Sequence, residues 1–109
     1  SMYDNGEGVP QDYVQAIKWY RLAAEQGDAS AQFNLGVVYA NGEGVPQDYV
    51  RAHKWFNLAA SRASAEKEFA SARDRVAEKM TPAQIAEAQR LAREWKPKTW
   101  DELKGQVTQ

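Results

Sequence analysis

No cysteine occurs in this 109-residue chain, so disulfides, thiolate nucleophiles and cysteine metal ligands are excluded together. With a single histidine, His53, a metal site of soft ligands cannot form around it, and a general base there lacks a matched nucleophile and orienting partner. No apolar run approaches the length of a membrane span, and the start carries no basic, apolar and small-residue leader. The opening Ser1-Met2 reads as an expression remnant ahead of native sequence. A strong charge of one sign is missing too, since the formal net charge is −1. Residues 51–109 hold twelve Lys or Arg against eight acids, but without the dense basic cluster and interleaved aromatics of a nucleic-acid groove. The length fits one domain.

What is present is a duplication. Residues 3–24, YDNGEGVPQDYVQAIKWYRLAA, recur 36 residues later as YANGEGVPQDYVRAHKWFNLAA. Only Asp4/Ala40, Gln15/Arg51, Ile17/His53, Tyr20/Phe56 and Arg21/Asn57 differ. A fixed period in the thirties is the mark of a solenoid, in which each unit buries its apolar face against its neighbours.

Each copy carries the same punctuation. Gly6, Gly8, Gly42 and Gly44 sit where a helix must stop, because glycine takes the left-handed conformation without a Cβ penalty. Pro10 and Pro46 then hold the chain extended, and Asp12 and Asp48 are placed to favour the next helix N-terminus. Ala16, Trp19, Tyr20 and Ala23, and again Ala52, Trp55, Phe56 and Ala59, trace one helix face. Gly27 and Asp28 separate the first such helix from a second over about 29–40, with Leu35, Gly36 and Tyr39 on its packed side. Gly36 in mid-helix predicts close approach of a neighbouring helix backbone. Gln32 is expected near the surface.

A third, degenerate unit follows. Phe69, Ala72, Val76 and Met80 predict a longer helix running to about Lys79, with Ser64 placed as its cap. Thr81-Pro82-Ala83-Gln84 is a capping-box start to a helix packing Ile85, Ala88, Leu91, Ala92 and Trp95, which Pro97 ends. Thr99 to Lys104 predicts one more turn, capped by Thr99 and Glu102. Trp19, Trp55 and Trp95 are expected in the core, and Trp100 is expected to fold back over the last helix pair.

Residues 31–60 resemble a Sel-one-like repeat. Leu35-Gly36-x-x-Tyr39, Gly42-x-Gly44-Val45 and Ala52-x-x-Trp55-x-x-x-Ala59-Ala60 all occur at that family's spacing. The resemblance covers residues 3–60 closely and the region to about 96 loosely. It implies an all-α, right-handed α/α solenoid of antiparallel helix pairs, related to tetratricopeptide repeats. The implied role is a non-enzymatic adaptor or scaffold, common in bacteria and in eukaryotic quality-control complexes. The expected organisation is one domain over 1–109. A first unit over 3–38 lacks its first helix, and the second, begun at about 28, continues over 39–62. A capping helix pair over 63–96 and a tail over 97–109 complete it.

In tetratricopeptide-like solenoids the first helix of each unit lines the concave surface. Carried over through Leu-Gly-x-x-Tyr, this points to Ser30, Phe33, Val37 and Asn41, with Glu66, Phe69, Arg73 and Ala77 from the third unit. Phe33 and Val37 form an apolar strip with polar edges, suited to a protein or peptide partner. The competing reading is that Phe33 and Phe69 simply pack together between units. The open flank of the helix over 12–25 predicts that the chain is a fragment of a longer array, or that a partner covers this flank, and uncovered it would favour self-association.

Other motifs carry less. The Gly-Glu-Gly loops lack the preceding strand or following Lys-Ser/Thr of a phosphate cradle. His53 is expected on a partly exposed flank between Tyr49 and Asn57. Ser64-Ala65-Glu66-Lys67 matches the Ser-x-x-Lys of penicillin-recognising enzymes, which makes a penicillin-binding or hydrolase activity at Ser64 and Lys67 the alternative reading. A purely structural spacer between other domains is a third. No cofactor, metal, nucleic acid or membrane insertion is expected.

Overall fold

The computed structural model describes residues 11–107, and all its regular structure is helical. The helices are α1 (Gln11–Glu25), α2 (Ala29–Asn41), α3 (Tyr49–Arg62), α4 (Lys67–Ala77), α5 (Pro82–Glu94) and α6 (Trp100–Val107). Antiparallel neighbours pack in sequence from α1 to α4, and α5 returns onto α3. This is the expected α/α solenoid of helix pairs. Gly6, Gly8 and Pro10 lie outside the described residues.

The punctuation acts as its chemistry dictates. Asp28 and Asp48 are N-caps, their carboxylates accepting from the backbone N–H of Ala31 at 2.9 Å and of Arg51 at 3.0 Å. Gly27, Gly42 and Gly44 have φ of 103°, 69° and 79°, so all three occupy the region that side chains rarely adopt. Thr81 and Gln84 form the complete capping box, with Pro82 opening α5. Thr99 and Glu102 cap α6, which is eight residues long rather than a single turn. Glu66, not Ser64, stands at the N-cap of α4 and makes no side-chain cap bond. That helix is shorter than expected: after Ala77 the Lys79 and Met80 amides bond to Val76 and Ala77 carbonyls, tightening the chain into turns.

Stacking repeats with the period. Tyr13 donates to the Glu43 carboxylate at 3.0 Å; one period later, Lys79 lies over the Tyr49 ring at 5.8 Å. The third unit has lost the consensus residues but keeps the geometry. Phe33 and Phe69, one period apart, stack with centroids 4.9 Å apart. Gly36 is needed because a Cβ there would meet the Phe56 ring at 2.6 Å. The close neighbour is therefore an aromatic ring, not the helix backbone that the sequence suggested.

The core joins Leu35, Tyr39, Ala52, Trp55, Phe56, Leu58, Ala72 and Val76. Trp55 is 5% exposed, but Trp19, its counterpart in the first copy, is 60% exposed. The core assignment of Trp19 is thus corrected. Trp55 shares its surroundings with Leu35 and Tyr39 of α2 and edges onto Trp95, whereas Trp19 has no such cover among the described residues. Trp95 is half-buried, its indole N–H donating to Glu25 at 2.9 Å. Trp100 is exposed and does not fold back; Leu103 is the residue α6 buries. Gln32 is also corrected: it is fully buried, donating through Nε2 to the Ala24 carbonyl at 3.1 Å.

Trp55→Ala is expected to destabilise by about 3–5 kcal/mol, a large share of what a domain this small possesses. Trp19→Ala should cost no more than about 0.5 kcal/mol in the same chemical denaturation measurement. Equal costs for the two indoles would contradict this packing. Gln32→Ala should cost about 1–3 kcal/mol, through the lost hydrogen bond to the Ala24 carbonyl and the cavity left by a fully buried side chain.

Candidate functional site

A half-open groove of about 320 Å³ lies between α2 and α4, with α3 beneath. Phe33, Val37 and Ala40 of α2, Phe56 of α3, and Ala72 and Val76 of α4 supply its apolar floor. Asn41, Tyr49, Arg75, Glu78 and Lys79 supply polar groups around it. The aromatic floor is held in place from below. Phe33 lies 5.5 Å from Phe56 as well as stacking on Phe69, and Phe56 is pressed against Gly36.

Three of the residues expected on the concave surface, Phe33, Val37 and Asn41, line this groove. Ser30 and Glu66 are exposed and are not among its lining residues. Phe69 is buried in the aromatic stack, so it supports Phe33 rather than presenting its own face. Arg73 pairs with its neighbour Asp74 at 3.1 Å. The α4 wall is instead Ala72, Arg75, Val76 and Lys79. The 36-residue shift of Phe33 and Val37 missed Ala72 and Arg75 because those lie on a different helix face, and missed Val76 because its counterpart Ala40 was not in the strip. Shifted back by one period, Ala72 and Arg75 fall on Gly36 and Tyr39, the packed side of α2. Each first helix thus offers one face to the unit ahead and another to the unit behind.

His53 does not lie on a partly exposed flank. It is 3% exposed, and its Nδ1 has no hydrogen-bond partner. Its counterpart in the first copy, Ile17, is buried too, so the position is apolar in character. Burial, and then the charge of Arg73, push the imidazole below its ordinary range, opposed by Asp74 and a backbone hydrogen bond. An imidazole enclosed where the first copy buries an isoleucine is a packing residue. Ser64 and Lys67 are both exposed. Ser64 sits in the turn before α4 and Lys67 is the first residue of that helix, so they do not stack one turn apart on a common helix. Among the described residues no group of His, Asp and Glu could hold a metal ion, and no helix is long and apolar enough to cross a membrane.

The Sel1 repeat model matches residues 1–28 and 29–64, and the chain belongs to that family. Among solved structures it is similar to the crystal structure of c5321, a protective antigen present in uropathogenic Escherichia coli strains displaying an SLR fold. The TM-score is 0.71 at 35% identity, over 92% of this chain and 22% of that one. The chain therefore spans about a fifth of the length of that neighbour. No curated protein matches it. Family and fold together support a protein-interaction repeat scaffold, a class that is generally non-enzymatic.

The buried imidazole makes stability depend on pH. Because the folded-state pKa of His53 is depressed, the unfolded chain takes up the proton first. This contribution is intact above the ordinary imidazole pKa and is lost as pH falls through it. The melting temperature should therefore fall between about pH 7.5 and pH 5.5. His53→Ile, which restores the residue of the first copy, should flatten that dependence. An unchanged pH slope in the variant would contradict the assignment.

Proposed function

We propose that the chain is a segment of a protein-interaction scaffold, and that the groove between α2 and α4 holds an apolar-anchored segment of a partner protein. The observation that carries this reading is the chemistry of the groove: an apolar, partly aromatic floor with polar and charged groups around it. Such a site favours insertion of one large apolar side chain, while the surrounding groups satisfy the partner's backbone. The walls are helices tied together by the Phe33–Phe69 stack, so the surface is formed before the partner arrives and little ordering entropy opposes binding. A spacer role would need no such cleft. The expected anchor is Leu, Phe, Met or Trp on an amphipathic segment.

Panning a random peptide library against the folded chain tests this. Selected peptides should carry an apolar anchor and bind Val37→Asp at least about tenfold more weakly, a loss of about 1.4 kcal/mol. Far-ultraviolet circular dichroism of the variant should be unchanged. Peptides that bind wild type and Val37→Asp equally, or a library that yields no apolar-anchored binders, would overturn the groove reading.

A further inference from the structure

A second cavity, of about 310 Å³, shares no lining residue with the groove. It lies between α1 and α3 over α2, and its floor is Leu35, Tyr39 and Trp55, which are 1%, 8% and 5% exposed. Three cations reach it: Arg21 of α1, and Arg51 and Lys54 of α3. Arg21 Nη2 is 3.5 Å from the Tyr39 hydroxyl, and Arg51 lies over the same ring at 5.7 Å. Lys54 Nζ lies 4.3 Å from the centre of the Trp55 ring.

The one acid in the cavity does not neutralise them. The carboxylate of Glu25 is engaged on both oxygens, by the Trp95 indole N–H at 2.9 Å and by Lys98 Nζ at 2.9 Å. Burial pushes its pKa up, but these hydrogen bonds and the nearby ammonium charges outweigh that and hold it below the ordinary carboxylate range. Arg51 makes one long contact with Asp48, at 3.8 Å, and stays largely exposed. Burial lowers the pKa of Lys54, as do Arg51 and Lys98, against the pull of Glu25. An added anion would relieve that cost. The sequence marks the same place. Two of the five differences between the duplicate stretches, Gln15/Arg51 and Arg21/Asn57, put the two guanidiniums here.

From this geometry we infer that the cavity between α1 and α3 is a docking site for an acidic peptide segment, with at least two carboxylates straddling Tyr39 and Trp55. A guanidinium accepts a carboxylate bidentately, which a point charge does not do. The cations are grouped over two separate rings rather than around one point. That spacing suits acidic side chains along an extended chain better than one compact anion. The apolar floor beneath them lowers the local dielectric on one side of each pairing.

The test is an NMR titration of the full chain with an acetylated, amidated tetraglutamate peptide, with tetraglutamine and inorganic phosphate as separate arms. Tetraglutamate should give saturable shifts at the Trp55 indole and the Arg21 and Arg51 side chains, weakening as salt is raised. Arg21→Gln/Arg51→Gln should bind at least about tenfold more weakly, and Arg93→Gln, an exposed cation outside the cavity, should bind as wild type does. Shifts spread evenly over exposed Lys and Arg, or a response to phosphate without one to tetraglutamate, would overturn the inference. Because wild-type shifts map the site directly, it stays testable even if the double variant is poorly folded. Val37→Asp, which disables the groove, should leave tetraglutamate binding intact, so the two surfaces fail or stand separately.

Discussion

The absence of a side chain at Gly36 is the constraint on which the rest of the packing depends. A Cβ there would sit 2.6 Å from the Phe56 ring, well inside van der Waals contact. Because it is missing, Phe56 seats against α2 and is 2% exposed. Phe33 then lies beside Phe56, and Phe69 stacks on Phe33. One contact chain thus runs from α2 through α3 and back across to α4. Mid-helix glycine costs about 1 kcal/mol of helix propensity relative to alanine. Burying an aromatic side chain on this scale contributes about 1.5–3 kcal/mol, which more than offsets it.

The duplicated stretches show that burial belongs to neighbours rather than to sequence. Trp19 and Trp55 occupy the same place in nearly identical helices, yet one is exposed and the other is core. Periodicity located both on one helix face, which is a local property. It could not say that Leu35 and Tyr39 would share a core with the second indole while nothing described covers the first. Ile17 and His53 make the converse point, since two chemically unlike side chains are both buried at one repeat position. Its place on the helix suggested that His53 would be partly exposed; it is buried, with the charges of Arg73 and Asp74 of α4 near it.

Local signals were legible at most places where a single backbone conformation or hydrogen bond sufficed, the cap expected of Ser64 being the exception, since Glu66 takes that position. Asp28, Asp48, Thr81 and Thr99 cap as their spacing implied, and Gly27, Gly42 and Gly44 take positive φ at the turns. Long-range pairings were not legible. The link from Trp95 and Lys98 back to Glu25 joins residues 70 apart in one case, and no local pattern announces it. Nor does any announce that the Gln32 amide is buried and donates to the Ala24 carbonyl. Half of the groove was missed for a related reason. Phe33 and Val37 were found as an apolar strip, but Ala72 belongs to the backward face of α4, which their translation does not reach, and Val76 is one period on from Ala40, which the strip left out.

A solenoid built this way separates two requirements. The residues that hold the stack, Trp55, Leu35, Gly36 and Tyr39, face inward where a neighbouring helix covers them. What differs between units is then free to alter the clefts between successive helices. The groove between α2 and α4 is apolar because the degenerate third unit brings Ala72 and Val76 opposite Phe33 and Val37. The cleft between α1 and α3 is cationic because Arg21 and Arg51 appear where the other copy has Asn57 and Gln15. Both clefts lie over the same buried scaffold and have similar volume, so their opposite chemistry comes from a few substitutions that leave stacking untouched. In this chain the differences at Arg21 and Arg51 change the chemistry of a cleft while the buried contacts beneath it stay in place, which is how a repeat can vary its surface without losing its stack.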